Sequence, residues 1–521
     1  MEKCKIVFRL FEIIFSLAFI IIFIGVVFNK ALPFIKLDPV YSILGFAFIL
    51  VVWFVIYKKI LKNANNWSLK KEIIIGIITF LVFIVLQFIA GIFLKVNIGW
   101  DFGVIFGNAK SFVLHGDRLV EGYYPNYFQY FPNNILLFVV YIVVIKFGYM
   151  TNIINLLSPE ALLIVFNIGV VDIAVIILYM YLRRVFCKKQ AYFGLILCLF
   201  FTPLILYSCI YYSDTLSLPF GILLLYLYSF INDSEKNKKN LLLFLLMGIV
   251  MFIGAKIKMT VLIIYIAILI DMFFRKKILV FLEFGMISIS TFLIFNILFN
   301  NVIVNNSKFN FEVDEFGEIP YTHWIMMGIE DIDADNSDRN SIGGYSGIDY
   351  ELTQSHKNTA EAEEFNKKEI INRINKYGFI GYTKYLFKKA VNAWGDGNYF
   401  ASIKLDRDSQ KRSELLRSIF VVNKDNFLYY LYFSQGVQIS FLFLMILNSL
   451  KSIKNKQYDK SYIRISIFGV MLFLLLWENR SRYLVNYIPI FILQIIEFMD
   501  NCNFKDKKNN NKIELLNSRN K

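Results

Sequence analysis

The chain has 521 residues, 57% of them hydrophobic and 18% charged, and its mean hydropathy is +0.54. Soluble domains sit near half apolar and a quarter charged, so this balance excludes a string of ordinary soluble domains and points to an integral membrane protein. The formal charge of +15 does not mark a nucleic-acid partner, because the basic residues gather in short loops between apolar runs.

In chain order, the apolar runs that can supply the ~20 residues a bilayer core needs are 10–28, 41–57, 73–93, 161–182, 192–211, 215–231, 241–255, 260–274, 278–299, 427–450, 464–477 and 483–499. The run from Leu10 lacks a small-residue cleavage site and reads as a retained helix. The loops carry Lys58, Lys59, Lys62, Lys70 and Lys71, then Arg183, Arg184, Lys188 and Lys189, then Lys236, Lys238 and Lys239. Arg275, Lys276 and Lys277 follow, then Lys451, Lys454, Lys456 and Lys460, and a basic tail from Lys505. With both termini cytoplasmic, all these clusters fall on the cytoplasmic side, as the positive-inside rule requires. Cysteines placed at Ser68 and Ser234 are then expected to be shielded from an impermeant reagent, and one at Asn340 to react. The run 135–149 is short for a crossing and is read as an interfacial, juxtamembrane helix.

The fold expected is an all-α polytopic membrane protein of about 12 transmembrane helices plus a juxtamembrane helix. Its parts are two N-terminal helices (1–72), a central module (73–299) with a first outer loop at 94–159, an extracytoplasmic domain (300–425), three C-terminal helices (426–499) and a cytoplasmic tail (500–521). The five cysteines avoid the extracytoplasmic domain, so no disulfide framework is written there. Its later part, 359–390, has apolar residues at helical spacing and predicts one or two amphipathic helices.

Four outward positions carry chemistry. Asp101, in Gly99-Trp100-Asp101-Phe102-Gly103, is either a helix-end anchor or a carboxylate in an apolar setting suited to general-base work. Asp214 is either an N-cap for the next helix or a functional acid. Lys256 and Lys258 stand in an outward turn where cations are disfavoured; they serve an anion or snorkel to headgroups. The turn Trp477-Glu478-Asn479-Arg480-Ser481-Arg482-Tyr483 offers a phosphate-gripping fork at Arg482, or a Glu478–Arg482 pair that closes a hairpin. The histidines 115, 323 and 356 are scattered. Asp331-Ile332-Asp333-Ala334-Asp335-Asn336 lacks the glycine and the glutamate of a calcium loop. Walker A and GxGxxG motifs are absent.

On Asp101, Asp214, the order of loops and helices, and the phrases Thr322-His323-Trp324-Ile325-Met326-Met327-Gly328, Gly343-Gly344-Tyr345, Trp394-Gly395-Asp396-Gly397 and 478–483, the chain resembles the GT-C superfamily of membrane glycosyltransferases. That superfamily includes protein O-mannosyltransferases and aminoarabinose transferases, and the phrases are similar to a Gram-positive multi-pass group within it. The resemblance implies an inverting, hexosyltransferase-type enzyme of the cell membrane. It would move a sugar from a polyprenyl-phosphate donor to an extracytoplasmic acceptor: cell-wall polymer, lipid or protein. Asp101 and Asp214 would be catalytic, Lys256, Lys258 and Arg482 would hold the donor phosphate, and Glu478, His323 and Trp324 would support them. Trp324 and Trp394 would help cover the site and bind acceptor. The lone Asp101 departs from the paired acidic motif of many members, which puts a divalent-metal requirement in doubt: no cofactor is required, and a divalent metal is possible but unsupported. The competing readings are a flippase or transporter of lipid-linked saccharides, and a polysaccharide polymerase or ligase.

Overall fold

The computed structural model describes residues 2–28, 35, 37–64, 67–97, 99–117, 126–232, 238–309, 311, 314–335, 339, 341–407 and 412–502. Lys236, Ser234, Asn336, Asn340 and the tail from Lys505 lie outside the described residues. Among the described residues every regular element is helical, and nine helices are long and apolar enough to cross a membrane. In a bilayer this is the economical solution, since a helix satisfies its own backbone donors and acceptors.

Two elements differ from the sequence expectation. The run 192–211 is not one straight span: Lys188–Phe200 and Pro203–Cys209 meet at 68°. Pro203 has no backbone N–H and cannot continue the ladder of the preceding helix. The run 135–149 extends to Pro132–Met150, 19 residues, which is span-like in length and apolarity. Two ion pairs nevertheless place the chain on either side of it. Lys95, just past helix Leu69–Phe93, pairs with Glu160 at the start of helix Pro159–Val185, whereas Glu72 at the other end of Leu69–Phe93 pairs with Lys188. Residues 95 and 160 therefore share one end of the bundle, and the chain between them makes no net crossing.

The Glu72–Lys188 end also collects other basic loops. Arg184 Nε donates to Ser229 Oγ at 2.9 Å, the Arg275 guanidinium lies 4.3 Å from the Phe8 ring, and Lys460 lies 3.6 Å from the Phe186 ring. This is the end that the positive-inside rule expects to face the cytoplasm. A cysteine at Ser68 is expected to resist an impermeant maleimide in intact cells, while one at Glu364, whose side chain is 70% exposed, is expected to react; the reverse pattern would invert the site described below.

The helices at the two ends of the chain form one group. Helices Glu2–Phe28 and Pro39–Ala64 pack on Phe427–Asn455, which packs in turn on the last helix, Ile488–Cys502. A fully buried charge cluster ties them together. Arg464 donates from Nε to Glu12 at 2.8 Å and from Nη1 to Glu497 at 2.9 Å, and Ser449 and Ser461 donate to the Glu12 oxygens at 2.6 and 2.7 Å. Ions at this depth are tolerated only when paired and hydrogen-bonded in this way.

The segment 359–394 forms two helical stretches meeting at Gly378, whose φ of +61° is non-helical. Its second stretch runs into the membrane bundle, so Trp394 is fully buried, edge-on to Phe19 at 5.0 Å and tilted against Phe491 at 5.7 Å. This corrects the expectation that Trp394 covers the site with the extracytoplasmic domain: an indole sealed among core rings is not available to an acceptor. The 300–425 segment is instead tied to the 94–159 segment through Asp314, which accepts from Asn126 at 2.7 Å and from Tyr130.

Candidate functional site

Asp101 stands in the first turn of helix Trp100–Leu114, at the end opposite the basic loops. Backbone N–H groups of that turn have no helical acceptors and favour a carboxylate there. Its Oδ2 accepts from Tyr212 at 3.2 Å, and the buried Tyr127 hydroxyl faces it as well. The preceding residues are held in an unusual way. Trp100 has a φ of +44°, a strained value for a bulky residue. A Cβ on Gly99 would lie 2.5 Å from Arg407 Nη1, so a larger residue there would push the guanidinium aside.

Asp214 is not a cap. Tyr212 holds the cap position of Ser213–Leu216, and the buried Asp214 carboxylate pairs with Lys258 and, at 3.4 Å, with Arg482 Nη1. The two cations also flank Tyr483, with Lys258 4.8 Å and Arg482 5.0 Å from its ring. Burial pushes the Lys258 ammonium below its usual range even with Asp214 opposing it.

The hairpin pairing is corrected too. Glu478 pairs with Arg480 at 3.1 Å and accepts from Tyr483 at 2.7 Å, which leaves Arg482 to Asp214. Burial raises the Glu478 carboxyl, but Arg480 and Arg482 outweigh it and hold the group below its usual range. The turn is laced into the 300–425 segment. The Asn479 amide nitrogen donates to the carbonyls of Ile342 and Lys389, both at 3.0 Å, and Lys389 Nζ donates to the carbonyls of Gly328 at 2.6 Å and Trp477 at 2.7 Å.

Two cations that the sequence did not single out complete the site. Lys404 Nζ lies 3.4 Å and Arg407 Cζ 3.9 Å from the Trp100 ring centroid. Lys404 is only 7% exposed, and neither has a carboxylate in ion-pair contact among the described residues. Burial, then the nearby Arg482, Arg480 and Arg407, push the Lys404 ammonium well below its usual range. Asp396 builds this corner. It accepts from the backbone of Phe400 at 2.8 Å and from Ser481 at 2.6 Å, across Tyr399 and Phe400 with φ of +51° and +67°. Trp100 Nε1 and Arg482 Nε are buried donors without an acceptor among the described residues. Cations and donors left unpaired among the described residues at one place are groups that an anionic, oxygen-rich ligand would satisfy.

The other expected residues lie elsewhere. Lys256 sits 5.2 Å from the Phe299 ring, whereas Lys258 pairs with Asp214. His323 is buried, with Nδ1 2.8 Å from Thr353 Oγ1, and Trp324 stacks on Trp477 of the turn at 5.5 Å. Lys376 bridges Asp331 at 3.1 Å and Asp333 at 2.9 Å. Among the described residues no three His, Cys, Asp or Glu side chains cluster as metal ligands.

Burial pushes the His323 imidazole down to about 4. An unfolded histidine takes its proton near 6.5, so this contribution to stability is complete above 6.5 and is lost as pH falls toward 4, to the extent of about 3 kcal/mol. Thermal melts of His323→Asn are expected to lack this part of the acid loss seen in the native protein.

A family model described as conserved hypothetical integral membrane protein matches residues 3–502. No curated protein matches the chain. A solved structure, archaeal oligosaccharyltransferase AglB from Archaeoglobus fulgidus in complex with an inhibitory peptide and a dolichol-phosphate, is similar at 12% identity and a TM-score of 0.45. The match covers 82% of this chain and 50% of that one, so this chain spans about half the length of the archaeal protein.

Proposed function

The chain belongs to the family of conserved hypothetical integral membrane proteins, and we propose that its outer site transfers a sugar from a polyprenyl-phosphate donor to an extracytoplasmic acceptor. The observation that carries this reading is the placement of a carboxylate, Asp101, in the same turn as an indole, Trp100, against which pack two cations, Lys404 and Arg407, that have no ion-pair partner among the described residues. A base and an anion hold at one membrane-edge site are what such a transfer needs. The lipid donor stays in the bilayer while its phosphate and sugar reach the surface.

In this scheme Asp101 takes the proton of an acceptor hydroxyl as that oxygen forms its bond to the anomeric carbon. The bond from that carbon to the phosphate oxygen breaks, and its electron pair leaves with the polyprenyl phosphate. Attack opposite the leaving group inverts the anomeric centre. Lys404, Arg407 and the free Trp100 and Arg482 donors stabilise the charge that grows on the phosphate. Asp214 keeps Lys258 and Arg482 in place and is assigned no proton transfer. The scheme calls on no cofactor.

Lys404→Met and Arg407→Gln are expected to weaken donor binding by roughly tenfold or more each, the scale of a charged hydrogen bond, with the protein still folded. The check is binding of a labelled polyprenyl-phosphate sugar to purified protein. Unchanged affinity in both variants would remove these residues from the donor site. A flippase would instead need polar residues along a path through the bilayer; the buried charges at the opposite end are consumed by the Glu12–Arg464–Glu497 tie.

A further inference from the structure

The extracytoplasmic domain exposes large apolar side chains that the described residues leave wholly or partly uncovered. In the second stretch of 359–394, Phe379 is 89% exposed, Ile380 68% and Phe387 37%. They follow Gly378, whose positive φ restarts the helix in a new direction. Exposed neighbours on the same stretch are Lys384 and Lys388, and Tyr377, Tyr382 and Tyr385 form a ring cluster beside them. An apolar patch with cations and tyrosines on one short helix is the composition of a membrane-interface segment.

Packing sets the depth of this helix. Phe387 and Val391 lie over Gly25, where a Cβ would come within 2.8 Å of Phe387 and 2.3 Å of Val391. Gly25 is in the last turn of helix Glu2–Phe28, and Trp394 reaches further down to Phe19. The span Lys5–Phe28 has 24 residues, roughly 36 Å of helix against a ~30 Å hydrocarbon core, so its outer end stands in the headgroup layer. The eight residues from Phe387 back to Phe379 add about 12 Å at most along the helix axis. That keeps Phe379 and Ile380 within reach of the layer that Gly25 marks.

We infer that the helix following Gly378 is a membrane anchor of the extracytoplasmic domain, its Phe379 and Ile380 side chains seated among outer-leaflet lipids and Lys384 and Lys388 at their headgroups. The same helix carries Lys389, which holds the Trp477 and Gly328 carbonyls. Lipid contact at one end thus fixes the height of the Glu478–Arg482 turn at the other. The inference rests on packing and exposure and holds whatever chemistry the site performs.

The test uses Ile380→Cys and, separately, Phe379→Cys, labelled with the environment-sensitive fluorophore NBD. The full-length protein is reconstituted in phosphatidylethanolamine–phosphatidylglycerol vesicles, with native protein treated alike for background. Both probes are expected to emit at shorter wavelength than the same probe at Glu364→Cys, and to be quenched severalfold more by headgroup-level spin-labelled lipid than by aqueous iodide. Water-like emission with iodide quenching would overturn the anchor. A blue shift without lipid quenching, the mark of a probe packed against protein, would overturn it too.

Discussion

Asp101→Asn is expected to lower sugar transfer by roughly 10²- to 10⁴-fold, the usual contribution of a positioned general base, while donor affinity changes little. The amide keeps the size of the carboxylate and still accepts from Tyr212, whose hydroxyl is 3.2 Å away, so the local fold should persist. It cannot take the acceptor proton. Because the proposed donor contacts come from Lys404, Arg407, Trp100 and Arg482, binding and turnover should separate in this variant. Near-native turnover would remove Asp101 from the reaction. Loss of donor binding in parallel would mean that the carboxylate organises the cations rather than the proton.

Arg464→Leu is expected to destabilise the protein by about 3–5 kcal/mol, the cost of leaving a buried carboxylate without its partner. Here two are orphaned, Glu12 and Glu497, both in contact with Arg464 at 2.8–2.9 Å. The triple change Glu12→Leu, Arg464→Leu and Glu497→Leu removes all three ions and should recover most of that loss, because the desolvation of the charges disappears with them. Thermal melts in detergent decide the matter. A mild effect of Arg464→Leu alone would mean that the cluster is wet or protonated. The cluster binds helices from both ends of the chain, so its loss should also loosen the first helix from Phe427–Asn455, which Ser16 and Ser449 otherwise bridge at 2.9 Å.

What the sequence shows of this molecule follows from how costly ions are in lipid. Asp101, Asp214, Lys258 and Arg482 stand out because they interrupt apolar runs, and the structure gathers all four at one end. Lys404 and Arg407 do not stand out, because they lie in a polar stretch where charges are ordinary. Only the fold, through the Asp396 corner and the left-handed Tyr399 and Phe400, swings them onto Trp100. Trp394 was misplaced for the opposite reason: it sits in a segment whose charge reads as extracytoplasmic, while its own side chain enters the core. Arg464 shows the same limit within the bilayer. An arginine in an apolar run demands a partner, but residue spacing cannot reveal that the partners come from helices 452 positions earlier and 33 later. The break at Pro203 was readable in principle, since proline ends a hydrogen-bond ladder, but hydropathy alone smooths over it.

The central claim is that the outer site moves a sugar off a membrane-held phosphate. Its most direct test is incubation of purified protein in proteoliposomes with a polyprenyl-phosphate donor labelled in both sugar and lipid, with candidate acceptors outside. The account predicts that the sugar label passes to acceptor with inverted anomeric configuration while the lipid label remains as polyprenyl phosphate, and that Asp101→Asn stops both changes. Intact donor found on the opposite leaflet, with the sugar still attached and no product formed, would contradict it.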